Sequence, residues 1–275
     1  MSELIINDSN YRQFLPHAQN AGHGYGLIPR DYSQHPIGSY AAGVPFDDAV
    51  PLIPMVEWPD WISDHEANKT SLRHALEGIE PLDQNGQGFC WSYSTSICIM
   101  AVRRLANMPD VRLSPHGMAC KIYNHQDRGA WGAVSFDFAS KYGVPPESHW
   151  PQQSMSRQYD NPSTWEAAKQ YQLTEGFIDL EVSHPADADM SKQQVGSALL
   201  QLIPVVGDFN WWGHSVGLFN LVDSKPSLPA TDFRRYSTQT LNSWGTSWGE
   251  RGWGTLADSK AWPDGGCAPR WVAGS

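Results

Sequence analysis

Apolar side chains recur three or four positions apart in the segment that follows Cys90. The members of this series are Tyr93, Ile97, Met100, Ala101 and Leu105. This spacing is typical of one face of an α-helix, and the intervening Ser92 and Ser94 are expected to face away from it. Gly86 and Gly88 precede the series and favour an irregular loop. The pattern therefore predicts a loop followed by a helix that begins near Cys90.

Two runs in the second half of the chain predict antiparallel strands. Residues 216–222 and 236–241 are rich in apolar and β-branched side chains, and the intervening 224–231 contains two prolines. His214 lies just before the first run, and Asn242 lies just after the second. Pairing of the two strands would bring these two residues to the same end of a sheet.

Composition and charge exclude several classes of function. The chain has 275 residues and a formal net charge of −10, which argues against a nucleic-acid partner. Its longest apolar run, 198–206, is interrupted by Gln201 and Pro204, so no membrane span is expected. The first eight residues show no signal-peptide pattern. The ten histidines show no metal-ligand spacing, so neither a metal nor a cofactor is expected.

Three short motifs carry the candidate chemistry. They are Gln84-Asn85-Gly86-Gln87-Gly88-Phe89-Cys90-Trp91, then Gly213-His214-Ser215-Val216-Gly217, then Asn242-Ser243-Trp244-Gly245. A thiol is a good nucleophile only as thiolate, and an imidazole partner and a helix N-terminus both favour that form. In such a site the thiol is the nucleophile and the imidazole is its general acid/base, and a side-chain amide that orients the imidazole completes the set.

The order of these motifs resembles that of papain-like cysteine peptidases, in which His and Asn follow the Cys by about 130–150 residues. The resemblance implies an α+β fold with two lobes. A helical lobe, about 81–175, would carry Cys90, and an antiparallel sheet lobe, about 176–275, would carry His214 and Asn242. The cleft between the lobes would bind a peptide or protein substrate. Cys90 would form a thioester with it, and His214 would serve as general acid/base.

The resemblance covers roughly residues 81–257 and also implies which residues contact the substrate. Gln84, six positions before Cys90, would stabilise the oxyanion, and Gln87 competes for this role because it is nearer in sequence. The residues expected to bind substrate are Gly88, Gly129, Ala130, Trp131, Gly132 and Trp244. Trp131 would line the S2 pocket, which takes the second side chain before the scissile bond (P2), and would favour an apolar P2 residue.

Several positions depart from the family pattern. Gln87 and Asp127 stand where relatives carry a disulfide, so that disulfide cannot form. Phe89 replaces a small residue and would crowd the cleft, and Ala130 replaces a glycine. If Cys90 is the nucleophile, three cysteines without C-x-x-C spacing remain. We expect free thiols and a reducing location.

Residues 1–57 lie outside the expected peptidase domain, 58–275. Six prolines interrupt any long helical pattern there, whereas propeptides of the family contain long charged helices. We therefore expect an extended arm that lies on the domain or on a neighbouring subunit and leaves the cleft largely free. The alternating glycines of 22–26 predict a flexible loop, and 62–80 predict a short amphipathic helix.

Two functions remain open from the sequence. The complete set of catalytic residue types favours an active cysteine peptidase. The Pro- and Gly-rich arm and Phe89 favour a papain-fold subunit of a larger particle such as a virion, with an active site that is vestigial or used once in maturation. The expected location is accordingly a reducing cytoplasm or an assembled particle.

Overall fold

The computed structural model describes residues 3–16, 22–180 and 188–270. Within these ranges the helices are α1 Trp58–Asn68, α2 Leu72–Ala75, α3 Cys90–Leu105, α4 Pro115–Ile122, α5 Gly132–Tyr142, α6 Pro162–Ala168 and α7 Ala188–Leu200. The strands are β1 Ile5–Ile6, β2 Gly43–Pro45, β3 Phe177–Asp179, β4 Val205–Phe209, β5 His214–Asp223, β6 Tyr236–Leu241, β7 Trp253–Leu256 and β8 Gly265–Pro269. No helix in the same ranges has the length and apolar character needed to cross a membrane. The α+β class is confirmed.

The eight strands form one mixed sheet in the order β1-β7-β6-β5-β4-β8-β3-β2. The two edge strands pair in parallel with their neighbours, β1 with β7 and β2 with β3. The inner pairs are antiparallel. Both edge strands belong to the arm, residues 1–57. The arm thus covers backbone groups that would otherwise be free to pair with another chain.

The hairpin of β5 and β6 brings the second and third motifs together, as predicted. His214 is the first residue of β5, and Asn242 directly follows the last residue of β6. Leu241 pairs with Gly217, three positions into β5. Consequently His214 and Asn242 lie at the same end of the sheet.

Helix α3 begins at Cys90 as predicted, but the expectation that Ser92 and Ser94 face away from the core is wrong. Every residue from Cys90 to Val102 is buried. The helix packs against β5 on one side and against α4 and α5 on the other, which leaves no face for solvent. The Ser92 hydroxyl therefore donates to a backbone carbonyl, that of Pro115, at 2.8 Å.

The segment 62–80, expected to hold one short helix, contains parts of two. Helix α1 begins earlier, at Trp58, with a proline in its first turn where a missing N–H costs little. It ends before Lys69, which adopts a left-handed conformation with φ 54°. Helix α2 then covers only Leu72–Ala75.

Trp58 joins the end of the arm to α7 and β6. Its side chain is fully buried, and its indole N–H donates to the Ile53 carbonyl at 3.0 Å. Its ring packs edge-on against Tyr236, with 5.0 Å between ring centroids. A β-carbon on Gly196 of α7 would lie 2.3 Å from the ring, so the contact is as close as glycine allows.

Replacing Trp58 by Ala is expected to lower the free energy of unfolding by about 3–5 kcal/mol, because it removes buried surface and leaves a cavity. Trp61 in the same helix is 40% exposed and provides the matched control. Trp61→Ala should cost about 0.5 kcal/mol or less. Urea unfolding followed by far-UV circular dichroism measures both values, and equal losses would contradict this packing.

Candidate active site

The loop before Cys90 is fixed by pairing with the third motif. The Gln84 N–H donates to the Ser243 carbonyl at 2.9 Å, and the Gly245 N–H donates to the Leu82 carbonyl at 3.1 Å. Cys90 follows as the first residue of α3, with its side chain fully buried. The backbone thus holds two of the three motifs side by side.

His214 is oriented by Asn242. Its Nε2 lies 2.8 Å from the Asn242 Oδ1, which also accepts the Ser243 N–H at 2.7 Å. A carboxamide oxygen only accepts, so Nε2 carries the proton and Nδ1 is the basic nitrogen. Nδ1 has no hydrogen-bond partner among the described residues. The Trp244 ring stacks on the imidazole at 4.5 Å between centroids and covers the His–Asn hydrogen bond.

The Gln84 side chain points its amide into the cleft. The Ser243 hydroxyl donates to the Gln84 Oε1 at 2.5 Å and so fixes the orientation of the amide. The amide nitrogen donates to the Gln87 carbonyl at 2.5 Å and to the Gly24 carbonyl at 3.0 Å. The side chain of Gln87, the competing candidate, instead contacts His116. Of the two glutamines, Gln84 is the one that donates to a backbone carbonyl in the cleft.

That carbonyl belongs to the arm, so the expectation that residues 1–57 leave the cleft free is wrong. The Gly24 oxygen accepts from Gln84 Nε2 and, at 3.1 Å, from the Trp244 indole N–H. Two residues on, the backbone N–H of Gly26 donates to the carbonyl of Gly213, the residue before His214, at 3.3 Å. The arm has no long helix among the described residues, as expected, but it crosses the candidate catalytic residues as an extended chain.

Beyond Cys90 the arm pairs with the wall of the cleft. The Ala130 N–H donates to the Gly26 carbonyl at 3.0 Å, and the Ile28 N–H donates to the Ala130 carbonyl at 3.0 Å. This is a parallel bridge between Leu27 and Ala130. The arm therefore runs from Trp244, past Cys90, to Ala130.

Glycines at alternate positions allow this close approach, and the prediction of a flexible loop is wrong. A β-carbon on Gly24 would lie 2.0 Å from the Gln87 carbonyl oxygen, and one on Gly26 would lie 2.0 Å from that of Gly88. In an extended chain, residues two apart face the same side. The alternating glycines are evident in the sequence, but the surface that they contact is not.

The other expected substrate-binding residues also border the arm. A β-carbon on Gly88 would lie 3.0 Å from the Tyr25 carbonyl oxygen, and one on Gly129 would lie 2.5 Å from that of Gly26. The Trp131 ring lies 5.2 Å from the ring of His35. The predicted surface is thus the one that the arm covers.

Burial makes the thiol and the imidazole neutral. It raises the pKa of Cys90 to about 12, although N–H groups of Ser215, Trp91 and Gly26 at the sulfur oppose the shift. Burial lowers the pKa of His214 to about 3, and the hydrogen bond that His214 donates to Asn242 opposes this only in part. At pH 7 the closed site holds a thiol and an imidazole rather than an ion pair.

Hydrogen bonds join the two segments that a disulfide would link in relatives. Asp127 accepts the Gly88 N–H at 2.8 Å, and all four cysteines are free and buried. Phe89 does not crowd the cleft, contrary to expectation. It is fully buried, with its ring 5.1 Å from that of His116, because it points into the core beneath the loop.

Sequence reasoning missed two buried carboxylates beside the cleft. Asp208 accepts the Gly132 N–H at 3.1 Å and is also bonded by the Ser215 hydroxyl. Asp179 pairs with Arg30 of the arm at 2.6 Å. Each aspartate lies in a strand among apolar residues, which was a usable signal. The partner of Asp179 lies 149 positions away and could not be read from a pattern.

Comparison with known proteins supports the papain-like assignment. No protein-family model matches the chain. Cathepsin K of Mus musculus is 22% identical over 215 residues, which cover 74% of this chain and 62% of cathepsin K. The chain therefore spans less than two thirds of the length of that relative.

Solved structures show the fold. Xylellain, a cysteine protease from Xylella fastidiosa, matches with a TM-score of 0.60 at 17% identity, over 91% of this chain and 97% of xylellain. The proform of Amb a 11, a ragweed pollen cysteine protease, matches with a TM-score of 0.62 at 15% identity, over 91% of this chain and 76% of that one. The chain has the two-lobed fold of papain-like cysteine proteases, and its recognition as a divergent papain-like protein is confirmed.

The neutral, covered thiol predicts slow alkylation of Cys90 in the wild-type protein. With a pKa of about 12, the thiolate fraction at pH 7 is about one part in 100,000. Gly26→Ala should displace the arm, admit water and raise the alkylation rate at pH 7 by at least about tenfold. Iodoacetamide labelling followed by peptide mass spectrometry measures the alkylation rate at Cys90 separately from the other cysteines.

Val56→Ala is the control for this experiment. Val56 also belongs to the arm, but its side chain is 63% exposed and lies well beyond the segment that crosses the cleft. The rate should therefore stay near the wild-type value. Equal rates in wild type and Gly26→Ala would contradict the coverage of Cys90 by the arm.

Proposed function

We propose that the chain is a papain-like cysteine peptidase that hydrolyses peptide bonds through a thioester on Cys90. The observation that supports this most is the fixed polarity of the His214–Asn242 hydrogen bond. It leaves the basic Nδ1 without a partner among the described residues. The backbone of the next residue, Ser215, lowers the pKa of Cys90 in opposition to burial and so favours the thiolate.

In the proposed reaction, His214 Nδ1 takes the proton of the Cys90 thiol, and the sulfur attacks the carbonyl carbon of the substrate. The C–N bond then breaks, and His214 returns the proton to the leaving amine. A water molecule, deprotonated by His214, attacks the thioester and releases the acid and the thiol. The N-terminus of α3 favours the thiolate throughout.

Gln84 is the proposed oxyanion donor, together with the backbone N–H of Cys90. Its amide already donates to a backbone carbonyl in the cleft, that of Gly24. A substrate carbonyl that becomes an oxyanion would accept the same bond more strongly, because its charge has increased. Ser243 would serve as a positioning residue, since its hydroxyl fixes the Gln84 amide.

The arm is proposed to keep the peptidase latent. If Ala130 and Trp131 border the pocket for P2, a substrate runs from Ala130 towards Trp244. The arm runs from Trp244 towards Ala130, which is the opposite direction. A reversed chain fills the cleft but does not offer its carbonyls to Cys90 in the productive orientation.

The alternative of an assembly subunit has lost two of its supports. Phe89 is buried in the core and does not obstruct the cleft. The arm lies on its own domain, where it provides both edge strands of the sheet. We therefore propose an intramolecular role for the arm.

Peptidase activity is tested on the full-length chain. Gly26→Ala should hydrolyse a fluorogenic peptide library at least about tenfold faster than wild type, because the arm leaves the cleft. Cys90→Ala in the same background should abolish hydrolysis, and Val56→Ala alone should resemble wild type. If Gly26→Ala exposes Cys90 to alkylation but cleaves no peptide, the peptidase proposal fails and the assembly role becomes the better hypothesis.

The role of Gln84 is tested in the Gly26→Ala background. Gln84→Ala should lower kcat by about 100-fold with little change in KM, because the lost hydrogen bond forms mainly in the transition state. Gln87→Ala is the matched control and should change kcat by no more than about threefold. Comparable losses in both variants would remove the distinction between the two glutamines.

A further inference from the structure

We propose that the cleft has a subsite for a positively charged P2 side chain and that Asp179 is the carboxylate that binds it. This inference rests on the proposed peptidase function. It replaces the apolar P2 preference expected from Trp131. Three features of the structure carry it: a guanidinium bound at the site, the face of the sheet on which the carboxylates lie, and the groups that remain when the arm leaves.

The arm already places an arginine side chain on Asp179. Arg30 donates from Nη1 and Nη2 to the two carboxylate oxygens, at 2.6 and 2.9 Å. The side chains of Arg30 and Asp179 are only 4% and 0% exposed. The guanidinium also donates to the His35 and Pro36 carbonyls, both at 2.8 Å, and lies 4.6 Å from the Tyr32 ring centroid. This is a bidentate, enclosed site for a planar cation.

The register of the sheet puts both carboxylates on the same face. Asp179 in β3 lies opposite Cys267 in β8, which lies opposite Val206 in β4. Residues directly opposite one another share a face, and so do residues two apart in a strand. Asp208 therefore shares the face of Val206 and Asp179.

That face borders the expected P2 pocket. Asp208 accepts the N–H of Gly132, the residue after Trp131, at 3.1 Å. The charge of Arg30 acts on Asp208 as well as on Asp179. A cation seated on Asp179 is thus within electrostatic range of a second carboxylate, which is buried behind Gly132.

Departure of the arm would leave Asp179 without a counter-charge. The groups that surround the guanidinium apart from Asp179, namely Tyr32, His35, Pro36 and Tyr40, belong to the arm and leave together with Arg30, and so does the Gly38 N–H that donates to Asp179. Among the ion pairs in the described parts of the chain, Arg30 is the single partner of Asp179. The Cys267 thiol, a weak donor 3.8 Å from Asp179, stays in place, but a buried carboxylate without a cation is unfavourable. An Arg or Lys side chain of the substrate restores the pair, whereas Leu leaves the charge uncompensated.

The test uses the full-length Gly26→Ala/Arg30→Ala protein, in which the cleft is open and the guanidinium is removed. The substrates are fluorogenic peptides that differ only at P2, with Arg, Lys, Leu or Phe. We expect kcat/KM for P2 Arg to exceed that for P2 Leu by at least about tenfold. Asp179→Asn should lower the value for Arg about tenfold and should not lower the value for Leu, because it also removes the uncompensated charge. Asp208→Asn should change the preference in the same direction, and it serves as the second variant if Asp179→Asn does not fold.

Asp223→Asn is the matched control, because Asp223 also pairs with an arginine, Arg235, but lies at the other end of β5. It should leave the P2 preference unchanged. A preference for Leu or Phe, or an Arg preference that survives both Asp179→Asn and Asp208→Asn, would overturn the subsite while the peptidase proposal stands.

Binding without catalysis separates the two proposals. Calorimetry with Cys90→Ala in the same background measures the affinity for uncleaved peptides that carry Arg or Leu at P2. Tighter binding of the Arg peptide that Asp179→Asn removes would support the subsite even if no peptide is hydrolysed, in which case only the peptidase proposal fails. Equal binding of both peptides would overturn the subsite.

Discussion

The contact on which the closed state depends is the approach of two glycine α-carbons to the catalytic loop. Gly24 and Gly26 lie so close to the carbonyls of Gln87 and Gly88 that a β-carbon would be 2.0 Å from either oxygen. Their backbone groups can therefore reach the hydrogen-bonding groups of the site. At these two positions the arm contacts the cleft through its backbone, and its sequence is restricted to glycine where the two segments touch.

This contact sets the charge state of a site whose hydrogen bonds are already formed. The His214–Asn242 hydrogen bond and the Gln84 amide are in place while the arm is bound. Burial is the largest cause that shifts the pKa values of Cys90 and His214 towards the neutral forms. If the chain is the proposed peptidase, activation would require access of solvent or substrate rather than reconstruction of these residues.

The attachments of the arm make local release easier than dissociation. Strand β1 pairs with one edge of the sheet and β2 with the other, and the segment that crosses the cleft lies between them. Both ends stay tethered when the segment between these two strands lifts away, so the effective concentration of the arm at the cleft remains high. Removal of the whole arm would in addition uncover both sheet edges.

Part of this site could be predicted from the sequence, because it depends on short motifs and local periodicity. Cys90 and the helix after it, and His214 and Asn242 at the ends of a hairpin, follow from motifs and periodicity. The burial of Ser92 could not be predicted from the sequence, because it depends on the packing of α4 and α5 against α3.

The path of the arm could not be predicted from the sequence for a related reason. Alternating glycines indicate that a strand can approach something closely, but not what it approaches. The partner surface is assembled from segments that lie far from the arm in sequence, near Gln84, Ala130 and Trp244. Only the folded chain brings them together.

Side-chain recognition and backbone direction are separable in this cleft. An arginine can bind Asp179 whichever way its chain runs, because the guanidinium reaches the carboxylate at the end of a long, rotatable side chain. Cleavage, in contrast, depends on the orientation of the carbonyl at Cys90. A reversed segment can therefore use the same carboxylate as the proposed substrate without being cut. It follows that the strength of the Arg30–Asp179 pair affects two properties at once, since a subsite that binds a cation tightly also holds the arm tightly. Latency and a preference for basic substrates would then depend on the same two atoms of Asp179.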